Sequence, residues 1–143
     1  MTTADSLLRS DLVLLSLRPA IAGQPPALPT PTTVADFQHQ VWRPLLKLQH
    51  TVLLAMVIDF AHDYRLPLTT PDLELATTFG ELLARNTRLR ATLTGLVVGL
   101  LTQPELAFYR QHRSELNRRL LDLAQQRVLS SLGEVRQLAG GRE

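Results

Sequence analysis

Residues 93–104 read LTGLVVGLLTQP, the most apolar window of this 143-residue sequence, yet Gly95 and Gly99 stand inside it. A glycine in a helix interior costs about 1 kcal/mol relative to alanine, so two of them ask for a packing reason. Projected as a helix, residues 88–103 place Leu89, Leu93, Leu96, Val97 and Leu100 on one stripe. Nearly opposite lie Ala91, Gly95 and Gly99, with Thr92 and Thr102 beside them. Small residues recurring every fourth position let a neighbouring backbone come close. The spacing therefore predicts a central helix, bulky on one side and grooved on the other. The groove is expected to receive either the final helix of the same chain or a second subunit.

Helical periodicity extends outward from that window in both directions. A first amphipathic helix is expected over 1–18, with Leu8, Leu12 and Leu15 on one stripe. The stretch LVLLSLRPAIAG at 12–23 contains an Ala-x-Ala pattern, as a secretory signal would. Its apolar run is short, however, and Asp5 and Asp11 share the region with one Arg9, which favours the amphipathic helix. Five prolines between positions 19 and 31 then predict an extended linker over 19–32.

Thr33 and Asp36 resemble a capping box opening a long helix to Tyr64, with Pro44 forcing a kink near residues 41–43. Thr70 is expected to cap the next helix, with Pro71 in its first turn, and that helix runs to Arg85. After Asn86 the glycine-bearing helix follows, and Gln103-Pro104-Glu105 opens a long final helix to Leu132 or beyond. No alternating strand pattern and no repeat interrupts this order. The expected fold is all-α: a compact bundle of four main helices over 33–138, an N-terminal helix on a proline-rich linker, and a disordered tail over 139–143.

Composition agrees and narrows the chemistry. There are 31 leucines, seven aromatic residues and no cysteine. Thiolate catalysis and cysteine zinc sites are excluded, and the pattern suits a reducing cytoplasm. Residues 85–127 hold eight arginines against Glu105, Glu115 and Asp122, so this segment is basic although the whole chain carries only +2. Glu115–Arg119 and Arg118–Asp122 are four apart, the spacing of a solvated helix face.

One polar cluster stands out. In IDFAHDY, residues 58–64, Asp59 and Asp63 project onto the apolar stripe of Phe37, Val41, Leu45, Leu48 and Val52, with His62 at its edge. Carboxylates on a core-facing surface need partners. Arg113, flanked by Arg110, falls on the inward stripe expected for the final helix, so an Asp59–Arg113 or Asp63–Arg110 bridge is expected. The competing reading is a metal site in a bundle interior, but such sites use ligands from several helices and no second half-site is visible. His39 and His50 read as solvated, and His112 stands alone. No phosphate loop or nucleophile elbow is present.

The sequence thus points to a non-catalytic helical interaction or scaffold protein. It is expected to be cytoplasmic and self-associating, without metal or cofactor, and open to an unidentified protein partner. One alternative is nucleic-acid binding through the arginines of 85–127. The other is a metal-dependent or small-molecule enzyme centred on Asp59, His62 and Asp63.

Overall fold

The computed structural model describes residues 3–19 and 32–142. The expected linker therefore lies almost wholly outside the described residues. Within them the chain is all-helical, with no strand. Its elements are α1 (Thr3–Ser16), α2 (Val34–Phe37), a π-helical turn (Gln38–Trp42), α3 (Arg43–Leu48), α4 (His50–Asp63), α5 (Asp72–Arg85), α6 (Thr87–Val98), α7 (Gln103–Gln111), α8 (Arg113–Leu129) and α9 (Leu132–Arg142). No single helix among them is long and apolar enough to cross a membrane.

Cα proximity divides the chain into two compact units, Met1–Gln49 with Gly95–Leu120, and His50–Thr94 with Leu121–Glu143. The division cuts across the expected 33–138 segment, because α6 and α8 each contribute residues to both units.

The first unit is organised by aromatic rings. Phe37 and Trp42, both fully buried, meet edge to face at 4.8 Å between centroids. Phe108 stacks on Phe37 at 5.5 Å, and Tyr109 packs against Trp42 at 5.9 Å. The Trp42 indole N–H donates to the Leu116 carbonyl at 3.0 Å, so this large side chain is buried without stranding its polar atom. The π turn explains how Phe37 and Trp42 reach the same core. Pro44 lacks the N–H that would bond to Gln40, and Arg43 instead donates five residues back to the Gln38 carbonyl. The kink expected from Pro44 is realised one turn earlier than the proline, as this widened turn.

The second unit is a leucine core. Leu53, Leu54 and Val57 of α4, Leu75 and Phe79 of α5, and Val135 of α9 are all buried. Arg136 clips its longest loop, donating to the Thr70 carbonyl at 2.5 Å and to the Asp72 carboxylate at 2.8 Å.

Several expected boundaries move, each for a local reason. The long helix ending near Tyr64 breaks at Gln49, whose backbone (φ −92°, ψ 12°) leaves the helical region. The long final helix breaks at His112 (φ −124°, ψ 30°) and again at Ser130–Ser131. Thr70 does not cap α5: Pro71 occupies the cap position, its carbonyl accepting the Leu75 N–H at 2.9 Å. The Thr70 hydroxyl is buried without a partner among the described residues. At the C-terminus the helix continues to Arg142 where a disordered tail from 139 is expected, tied down by buried Val135 and Ala139. By contrast, Thr33 does cap α2, its hydroxyl accepting the Asp36 N–H at 3.0 Å.

Candidate functional site

Asp59 and His62 are half-buried on α4, and Asp63 is exposed at its end. All three belong to the second unit, whereas Arg110 and Arg113 belong to the first and are both exposed. The expected inward position of Arg113 assumes one unbroken final helix. The break at His112 changes the phase, and the arginine turns to solvent with no ion pair among the described residues. The same logic displaces the α4 stripe. An extra residue in the π turn and the break at Gln49 rotate the buried face onto Leu53, Leu54, Val57, Ile58 and Ala61, leaving Val52 40% exposed. Among the described residues, no three His, Asp or Glu side chains are grouped so as to hold a metal ion.

Ala91, Gly95 and Gly99 are all exposed. A Cβ added at Gly95 would meet nothing within 4 Å, and one at Gly99 would meet only the Gly95 carbonyl oxygen, at 3.3 Å.

Three arrangements were not read from the sequence. The first anchors α1. Arg18, just past its C-terminus, donates to both carboxylate oxygens of Glu105 at 2.6 and 2.5 Å, and both side chains are 7% exposed. Glu105 is held in place by a full capping box. It accepts the Thr102 N–H at 2.9 Å, while the Thr102 hydroxyl accepts its own N–H at 3.4 Å. Asp11 adds a second tie, accepting the Gln103 N–H at 3.0 Å. The Thr-x-x-Glu signal was present in the sequence; a partner 87 residues away was not.

Beyond this anchor α1 leaves much of its apolar surface in solvent. Leu12 is 58% exposed, Val13 61%, Leu15 41% and Leu17 50%. Leu12, Val13 and Leu15 lie on α1 and Leu17 just past its end.

The second arrangement is a three-residue chain. The Arg127 guanidinium donates to Nδ1 of His50 at 3.2 Å, and Nε2 of His50 lies 2.9 Å from the Glu134 carboxylate. Arginine can only donate, so Nδ1 accepts and Nε2 carries the proton toward Glu134. His50 thus connects α4, α8 and α9 and is not the solvated residue its sequence position suggests.

The third is an open cleft of about 480 Å³ in the second unit, lined by Tyr64, Leu66, Thr78, Glu81, Leu82, Arg85 and Asn86. Its rim is built by a tight C-terminal turn of α4. Leu66 N–H bonds to the Ala61 carbonyl at 2.9 Å and Arg65 N–H to the His62 carbonyl at 3.0 Å, with Arg65 in the left-handed conformation at φ 56°.

No family model matches this chain, and no curated protein or solved structure does either.

Proposed function

We propose that this chain is a non-catalytic helical interaction protein that self-associates through the apolar face of α1. The observation that carries the reading is the pairing of exposure with anchoring. Leu12, Val13 and Leu15 face solvent on a helix whose end is held by the buried Arg18–Glu105 pair, and Leu17 just past it is exposed as well. A bundle of main helices with α1 as its appended, partner-seeking helix is the arrangement this reading uses. A second copy is the favoured partner, because two-fold homodimers are the commonest closed assemblies. The exposed small-residue face of Ala91, Gly95 and Gly99 offers a second place for close approach.

The phosphate-binding alternative draws less support from the basic segment. Arg90 spends its guanidinium on the Leu83 carbonyl at 3.0 Å, and Arg119 is engaged by Gln38 and Glu115. Arg85, Arg88, Arg110 and Arg113 remain exposed, but they are divided between the two units.

Light scattering tests the proposal. The parent chain is expected to have at least twice the monomer mass at micromolar concentration. The double variant Leu12→Glu/Val13→Glu is expected to be monomeric with an unchanged denaturation midpoint. A parent that stays monomeric at high micromolar concentration sinks the reading. A shift in mass with added DNA or RNA that weakens steeply with salt would favour the alternative.

A further inference from the structure

We propose that the cleft between the end of α4 and the C-terminal half of α5 binds a short zwitterionic peptide-like ligand, of di- to tripeptide size. It is independent of the α1 surface. Its volume, about 480 Å³, is within the range of small-molecule sites. Leu66 and Leu82 supply an apolar floor, and the Tyr64 ring stands at the rim.

The polar groups around that floor define the ligand. Glu81 and Arg85 are four residues apart on α5, in the order that favours a helix-surface ion pair. They make none, and neither has another hydrogen-bond or ion-pair partner among the described residues. Thr78 shows the same departure. Thr77, Thr92 and Thr94 each return their hydroxyl to the carbonyl four residues back, at 3.0, 2.9 and 2.9 Å. The Thr78 hydroxyl, on the cleft wall, has no partner among the described residues. Asn86 uses its side-chain oxygen on the Leu89 N–H at 2.9 Å, which leaves its amide N–H groups for the cleft.

Opposite charges on one rim choose against singly charged ligands. A simple anion drawn to Arg85 would meet Glu81, and a simple cation drawn to Glu81 would meet Arg85. A zwitterion satisfies both, with its carboxylate at Arg85 and Asn86 and its ammonium at Glu81. The apolar floor requires a body with apolar side chains, and Thr78 can bond to a peptide group between the two charges. The site is largely pre-formed. The loop that carries Tyr64 and Leu66 is closed by the turn at Arg65 and tied further along by Arg136 at Thr70 and Asp72, so little ordering remains to oppose binding.

The test is a nuclear magnetic resonance titration of the full chain with leucyl-leucine, its N-acetyl form and its C-terminal amide. Leucyl-leucine is expected to perturb the amides of residues 64–66 and 78–86. Blocking either terminus should weaken binding roughly fivefold or more. Arg85→Ala should weaken the free dipeptide but not the amide, and Glu81→Gln should weaken the free dipeptide but not the N-acetyl form. Both side chains are exposed, so an unchanged denaturation midpoint establishes that the variants are folded. Absence of perturbation at millimolar dipeptide, equal affinity for all three forms, or indifference to both substitutions overturns the proposal. The light-scattering result for α1 does not bear on any of these outcomes.

Discussion

Arg18 and Glu105, 87 positions apart, meet in a two-pronged ion pair of which each side chain is only 7% exposed. The Leu100 carbonyl accepts a further guanidinium N–H at 3.3 Å, and Glu105 simultaneously closes the α7 capping box. One carboxylate therefore performs two tasks: it starts α7 and holds α1.

Removing one partner should expose the cost of burying the other. Arg18→Ala is expected to lower stability by about 3 kcal/mol, because it leaves Glu105 buried and uncompensated. The double variant Arg18→Met/Glu105→Leu is expected to lose less than the single one. Urea denaturation midpoints decide. A double variant as unstable as the sum of the two single variants would mean that the pair is not coupled.

Trp42 is the only tryptophan, and it is fully buried with its indole N–H bonded. Its fluorescence is expected to be blue-shifted relative to the free amino acid and poorly quenched by acrylamide. Trp42→Phe should cost about 2 kcal/mol through lost packing and the loss of the indole hydrogen bond to the Leu116 carbonyl. A red, readily quenched emission from the folded chain would contradict the aromatic core described for the first unit.

Arg65 adopts φ 56° where a helix-ending glycine would be unstrained. Arg65→Gly is expected to stabilise the chain by up to about 1 kcal/mol, read as an increased thermal midpoint. A loss of stability would show that the arginine side chain contributes more than its backbone strain costs.

The two glycines of 93–104 should respond differently to alanine. At Gly95 a methyl group meets open space, so Gly95→Ala should stabilise the folded chain by about 0.5–1 kcal/mol. At Gly99 it would press on the Gly95 carbonyl oxygen at 3.3 Å, and the gain should be smaller or absent. If Gly95→Ala stabilises the monomer while lowering the association constant, the small-residue face lies in a subunit contact.

Much of the secondary structure was legible in the residues because helix signals are local. Thr33, Asn86 and Gln103-Pro104-Glu105 marked helix starts through groups that act within one turn. Leucine spacing marked the buried positions wherever the helix stayed unbroken, as at Leu89, Leu93 and Val97. Pro44 announced a distortion, because a missing N–H is a property of the residue itself.

The candidate sites depended on something the residues do not carry singly, which is helical phase across interruptions. A π turn, a break at Gln49 and another at His112 each shift the angle at which every later side chain emerges. Asp59 and Arg113 could therefore be assigned a common interior only on the assumption of continuous helices. The pairing of Arg18 with Glu105, the His50 chain from Arg127 to Glu134, and the unpaired Glu81 and Arg85 beside an apolar floor were likewise decided by the tertiary structure. Local sequence determined where helices start and which residues favour burial, because those effects act over one turn. Which charges meet was left to packing, because a contact between residues tens of positions apart depends on every bend between them.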